Sequence, residues 1–545
     1  MPTVEDLLTR GYFHDRVIPP LGSEALAPAI PELRGYVRAQ QRRKRRSRCA
    51  HHSVPKKKHL RRVLSIPNPF HQTLLCAEIE RNWPQLQSFC AGSQISLSVP
   101  QDSAKRALQS NHDISAVTTE RALRSIGKRY LLKADFARYY PSIYTHSIPW
   151  ALHGKQNSRV DQSLFGNAID RRVRDTQDQQ TGGIPIGPDT SFLLGEVIGS
   201  AIDRDLHGVI GDLHGVRFID DVYLYFETLQ EAELALSQLH KIAKNFELEI
   251  HDQKTEINAL PDELEPAWKT ELRAMEIRAS GQAQNTDLVS LFNKAFELTR
   301  RFPGDSILTY VAKQVKNIEI DPENWSLAQA LLLKATLAEP SMMSVVFDIL
   351  DKNRHLLTNK EPLEATVASL CAYHAPLQQG YEVAWALWIA RSHSITIPDR
   401  VIDKITQLED DIVALVALDL WQQGCIDILA DFSRWRALLL PENLYTEHWL
   451  LAYEAPERGW LPTQNGDDYV SSDGLFSILR KHNVRFYRPA TEGLPPSATG
   501  YEDTDLPIAE PSVGETQPES TLESIQNTDV GNGDPLSSSY PTSQP

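Results

Sequence analysis

Two short apolar runs meet at a pair of aspartates in Val216-Arg217-Phe218-Ile219-Asp220-Asp221-Val222-Tyr223-Leu224-Tyr225-Phe226. β-branched and aromatic residues fill both runs, so each predicts a strand, with the acids at the turn of a hairpin. Carboxylates set beside apolar strands are costly to bury unpaired. A bound divalent cation is the usual resolution, and it points to a metal-dependent enzyme.

A chain of 545 residues exceeds one ordinary core, so two or three domains are expected. No run of about twenty apolar residues occurs, so no membrane span is expected. Met1 to Arg10 lacks a basic-then-apolar leader. The five cysteines (Cys49, Cys76, Cys90, Cys371, Cys425) are odd in number and lack Cys-x-x-Cys spacing. They predict reduced thiols and a cytoplasmic location rather than a disulfide framework or zinc site. The net charge is -15, yet ten acids and no Lys or Arg follow Arg488. Conversely, Arg42 to Arg62 holds eleven basic residues and no acidic one, a concentrated patch suited to a polyanion.

In chain order, Arg38 to Arg48 predicts a basic helix or arm. Its Arg42, Arg43, Lys44, Arg45, Arg46 and Arg48 are candidate nucleic-acid contacts. Residues 54–67 predict a hairpin with a basic tip, and cations there suit a triphosphate clamp. An amphipathic helix over Gln72 to Trp83 follows, with Leu74, Leu75, Ile79 and Trp83 as core. Over 129–146 an apolar strand ends in Asp135, a tight turn carries Tyr139 and Tyr140, and Pro141 opens a helix. Residues 181–206 read as a Gly/Pro loop feeding a helix from about Ser191 to Asp205, with Asp189 and Thr190 as N-caps. A helix over Gln230 to Asn245 and a strand lead to Lys254.

From about 285, apolar residues recur at helical spacing and strand signals nearly vanish. Segments near 325–338, 341–352, 362–374, 380–392, 399–408, 411–422, 426–437 and 443–454 predict stacked helical pairs. Seven of the ten tryptophans lie in this half, as packing residues. Residues 489–545, rich in Pro, Ser, Thr, Gly and acids, predict disorder.

Asp135 ends one strand, and Asp220 and Asp221 sit at a hairpin turn. If these strands are neighbours, three carboxylates converge at one sheet edge. That is the arrangement of a two-metal site for phosphoryl or nucleotidyl transfer. Mg²⁺ suits such ligands, with Mn²⁺ as the alternative ion.

The order of these blocks resembles the reverse transcriptases over roughly residues 10–260. A basic hairpin comes first, then Asp-Phe-x-x-Tyr-Tyr (Asp135 to Tyr140), then a Pro-x-Gly loop and helix. Phe-x-Asp-Asp (Phe218 to Asp221) and a Lys-Thr (Lys254, Thr255) complete it. The resemblance implies that Asp135 and Asp220 are the main metal ligands, with Asp221 assisting. It implies that Lys56 and Arg61 (or Arg62) hold the incoming triphosphate. Tyr140 stands at the family's steric gate against a 2′-hydroxyl. Gly187 stands where backbone meets template and nucleotide, and Lys254 matches a proton donor to pyrophosphate. Two positions depart from the pattern. Phe218 replaces a common Tyr, and Ile186 replaces a common Gln before Gly187, with Pro188-Asp189 after it. No primer-grip block is evident after Ile257.

The resulting expectation is an α+β right-hand polymerase with fingers and palm over 1–270. An all-α, HEAT-like helical-repeat domain over 271–488 and a disordered acidic tail over 489–545 follow it. A polymerase core fused to helical repeats resembles the abortive-infection and unknown-group reverse transcriptases of bacterial phage defence. That implies RNA-directed DNA synthesis from dNTPs, with RNA template, DNA product and self-association through the helical domain. Some relatives work without a template or prime from a protein hydroxyl. The alternatives are a retron- or intron-type enzyme copying its own RNA, and a catalytically silent nucleic-acid-binding scaffold. The helical half speaks against the former, and the three aspartates against the latter.

Overall fold

The basic hairpin forms as expected, from β1 (Ala50–Lys57) and β2 (Leu60–Ile66), paired antiparallel from Ala50↔Ile66 to Lys57↔Leu60. A computed structural model describes residues 1–40, 46–57, 60–464 and 466–489, all within one unit, Met1–Pro511. The basic residues Arg42, Arg43, Lys44 and Arg45, and the tail from 490 onward, lie outside the described residues.

After β2 comes the helix Pro69–Ala91. Asn68 caps it by accepting from the Phe70 N–H (3.0 Å), and Pro69 occupies the first turn, where its missing N–H costs nothing. The helix runs past Trp83, where the sequence pattern ends, through Pro84. That proline lies on the exposed side of the helix, away from the packed face. A small ladder of β3 (Pro100–Asp102) and β4 (Leu108–Ser110) follows.

The central sheet has β5 (Tyr130–Asp135), β6 (Gly215–Phe218), β7 (Asp221–Phe226) and β8 (Glu256–Ala259), in the order β6-β7-β5-β8, all antiparallel. The helices Asp189–Ile210 and Leu229–Asn245 pack beside it. The second starts with a capping box: Glu231 N–H donates to Thr228 Oγ1 (3.3 Å), and Thr228 N–H donates to Glu231 Oε2 (3.1 Å). Its Ala232, Ala235, Leu239, Ile242 and Ala243 form the buried stripe. Asp189 is not the side-chain cap the sequence suggests. Pro188 holds the N-cap position, and Asp189 instead accepts from Arg106 Nε (2.9 Å) and the Leu108 N–H (2.9 Å).

The second half is helical among its described residues, including Trp325–Ala338, Met343–Lys352, Glu361–His374, Gly380–His393, Asp399–Ile405 and Asp411–Gln422. One expected helix, 426–437, is reduced to Ser433–Ala437. Gly424, at φ +73°, ends the preceding helix. The Asp427 and Asp431 carboxylates then accept from the N–H groups two residues on, Leu429 (2.7 Å) and Ser433 (2.8 Å). Such turns compete with helix.

This half grips the first hairpin from behind. Arg61 pairs with Glu382, His52 Nδ1 lies 2.8 Å from Asp410 Oδ2, and Trp449 Nε1 donates to the Ile66 carbonyl (3.0 Å). Near the chain's other end, Leu21 bridges Tyr487, Gly22 N–H donates to the Phe486 carbonyl (2.9 Å), and Arg488 N–H to that of Pro20 (2.6 Å). All five cysteines are buried and free. Among the described residues no helix is long and apolar enough to cross a membrane.

Candidate active site

Strand register brings the acidic residues together. Asp135, the last residue of β5, is paired with Asp221, the first of β7. Asp220 is one residue back, so the turn consists of Ile219 and Asp220, while Asp221 already belongs to the ladder with Phe218. Ile219 has φ +57°, and Asp220 is not in the left-handed region. That is the sign pattern of a type II′ turn, whose first position glycine normally fills. A β-branched residue there is strained.

The three carboxylates feel one another. Burial, then the Asp135 charge, pushes Asp220 up to about 6. Burial, then Asp220 and Asp135, holds Asp221 well above the carboxylate range, against the pull of Lys254 and Lys133. The Lys254 ammonium rests on Asp135 Oδ2. Among the described residues no set of three or more His, Cys, Asp or Glu side chains is closed up around an ion site. The donor chemistry nonetheless fits a hard divalent cation. Two carboxylates are driven toward neutrality by burial and mutual repulsion, and a cation already sits on the third.

The hairpin supplies cations. Lys56 is held below its ordinary value by partial burial, then by Arg62 and Lys254, while Asp220 and Asp135 oppose that shift. Arg62 lies in the field of Arg16, Asp220 and Tyr140. Arg61 does not join them. As the next residue on a strand it faces the other way, donating to Glu382 Oε2 (2.7 Å) and to the Ser53 carbonyl (2.8 Å). Arg48 is tied down too, near Glu447 (3.2 Å) and Asp178 (3.5 Å), with Arg46 3.9 Å from Asp178.

Tyr140 is half-buried, edge-on to Tyr139 at 5.6 Å, and packs over Gly195, where an added Cβ would sit 3.1 Å from its ring. Gly187 has φ +143°, and a Cβ there would meet the Ser65 carbonyl at 3.1 Å. The adjacent Ile186 carbonyl accepts from the Ser65 N–H (2.8 Å), so this loop is sewn to β2.

Sequence reasoning missed the layer beneath the hairpin. Arg217 is fully buried. Its Nε donates to Asp203 (2.8 Å), Nη1 to Glu196 Oε2 (3.0 Å) and the Ile219 carbonyl (2.9 Å), and Nη2 to Glu196 Oε1 (2.6 Å), with Asp203 Oδ2 at 2.8 Å. Ser98 Oγ donates to Glu196 Oε2 (2.8 Å) and accepts from the Ile219 N–H (2.9 Å). Gly199 makes room, because a Cβ there would lie 2.6 Å from the guanidinium. The only advance signal was an arginine inside an apolar strand. The N-terminal His14, 3.6 Å from a Cβ at Gly187, and Arg16 gave none.

Paired strand-end carboxylates on this α+β sheet thus lie in the field of the hairpin cations Lys56 and Arg62. Residues 54–282 match the family described as "Reverse transcriptase (RNA-dependent DNA polymerase)". The chain therefore carries a reverse transcriptase domain and is an RNA-directed DNA polymerase. No curated protein matches it. Among solved structures, apo telomerase from Candida tropicalis aligns at 8% identity and TM-score 0.31, over 70% of this chain and 69% of that one. Telomerase from Candida albicans, in complex with a TWJ fragment of telomeric RNA, aligns at 12% and 0.27, over 70% and 67%.

Proposed function

We propose that Asp135 and Asp220, assisted by Asp221, hold Mg²⁺ (or Mn²⁺) for DNA synthesis from dNTPs on an RNA template. The observation that carries this reading is the Asp135↔Asp221 register beside Asp220, faced by Lys56 and Arg62. Divalent cations there supply charge neutralisation for the triphosphate and activation of the attacking hydroxyl. Lys56 and Arg62 bind the phosphates, one as point charge and one as fork. Arg61 supports the strand from its other face. Tyr140 presents its ring to the sugar and excludes a 2′-hydroxyl, while Gly187 lets backbone approach the nascent pair. Lys254, which pairs with Asp135, would serve as the proton donor to departing pyrophosphate.

Chemistry belongs to residues 1–270, support and self-association to the helical 271–488. Their union supports a role in bacterial antiviral defence, and Arg46 and Arg48 with the preceding basic residues suit the nucleic acid.

The test incubates the purified chain with Mg²⁺ or Mn²⁺ and labelled dNTPs, with and without RNA, followed by denaturing gels before and after protease. RNA-dependent product is expected, and Asp220→Ala/Asp221→Ala should abolish it. Incorporation by that variant at the wild-type rate rejects the site. Product without RNA, or label retained on protein, selects untemplated or protein-primed synthesis. Phage plating on cells carrying wild type or the same variant tests the defence role.

A further inference from the structure

We infer that Arg217 and Ser98 are positioning residues for the metal-binding turn, acting through the Ile219 backbone. This inference rests on the polymerase reading of that turn. Ile219 sits at φ +57°, a conformation that a β-branched residue adopts only when its surroundings impose it. Both of its backbone groups are held from the buried side. The N–H donates to Ser98 Oγ (2.9 Å), and the carbonyl accepts from Arg217 Nη1 (2.9 Å).

The holder is itself fixed. The guanidinium donates from Nε to Asp203, from Nη1 to Glu196 and Ile219, and from Nη2 to Glu196, with Nη2 also 2.8 Å from Asp203 Oδ2. Ser96 Oγ anchors Glu196 Oε1 (2.6 Å), and Ser93 Oγ anchors Asp203 Oδ2 (2.6 Å). Arg217's own backbone is locked to the 95–97 segment, with its N–H on the Ile95 carbonyl (2.7 Å) and its carbonyl accepting from the Leu97 N–H (2.8 Å). The helix Asp189–Ile210, the 93–98 segment and β6 thus converge on one residue, Ile219, through the peptide groups on either side of it. The next residue is Asp220. Shifting the 219–220 peptide redirects the Asp220 carboxylate without substituting any group that touches substrate. A lysine at 217 supplies the charge but not the planar fork, so it cannot serve Glu196, Asp203 and Ile219 together.

The experiment compares the full-length wild type with Ser98→Ala and Arg217→Lys. It measures thermal unfolding, Mn²⁺ binding by electron paramagnetic resonance, and kcat and KM for dNTP. Ser98→Ala is the decisive variant, because it keeps the ion cluster and folds even if Arg217→Lys does not. In Ser98→Ala, Mn²⁺ affinity and kcat should fall about 10–100-fold, as for losses just behind metal ligands, with KM for dNTP unchanged. A folded Ser98→Ala whose Mn²⁺ affinity and kcat stay within about twofold of wild type overturns the inference while leaving the polymerase reading intact. A wild type that binds no Mn²⁺ and incorporates no nucleotide overturns that reading and the inference with it.

Discussion

Arg61 and Arg62 are neighbours in sequence and face opposite sides of β2. β2 sends Arg62 toward Asp220 and Tyr140, and sends Arg61 to the buried Glu382. Arg62→Ala should raise KM for dNTP about ten- to a hundredfold, the worth of one charge-assisted contact, with little change in melting temperature. Arg61→Ala should do the reverse. It strands a carboxylate that is only 3% exposed, costing about 3 kcal/mol in urea denaturation while KM holds. Sequence alone named both arginines as candidates, because strand phase cannot be set without knowing which face is the site. At Tyr140, replacement by Ala should raise rNTP incorporation relative to dNTP about ten- to a hundredfold, measured as the ratio of kcat/KM values.

At the scale of elements, what was legible followed period and order. The strand ending at Asp135, the Leu229–Asn245 helix and most later helices come from apolar spacing, and the first hairpin from its basic tip. Three features did not. The Pro69–Ala91 helix outruns a proline because that proline is exposed. The 425–432 link stays irregular because aspartates bond to nearby N–H groups. The ion cluster of Arg217, Glu196 and Asp203 is hard to read because the two acids, taken singly, pass for ordinary surface charges, leaving only an arginine inside an apolar strand. His393, at the end of the Gly380–His393 helix, gives a pH prediction. Burial, then Arg354, pulls it down to about 4 from an ordinary 6.5. Between those values the unfolded chain takes up a proton that the folded chain refuses. Its contribution therefore lowers stability as pH falls from 6.5 to 4 and is level outside that window. His393→Gln should flatten this part of a urea-midpoint profile taken from pH 7 to pH 4.

For the whole molecule, the division between chemistry and support is not a division of folding. The segment matching the family ends at 282, yet β1 and β2 lean on Glu382, Asp410 and Trp449. Asn68, which caps the first long helix, also donates to the Leu444 carbonyl (2.8 Å). A chain cut after residue 282 should show no cooperative melt by circular dichroism and no nucleotide incorporation. Recovery of both in that fragment would show the helical half to be dispensable.

The bridge joining Leu21 to Tyr487 also sets a timetable. A ribosome adding about 5–20 residues per second needs roughly 20 to 90 seconds between these two positions. For most of that interval the first hairpin has been made while Trp449, the last of its three backing residues, has not. The first hairpin is thus among the earliest parts made and among the last to be secured, so nascent chains stalled before Trp449 should show no nucleotide incorporation.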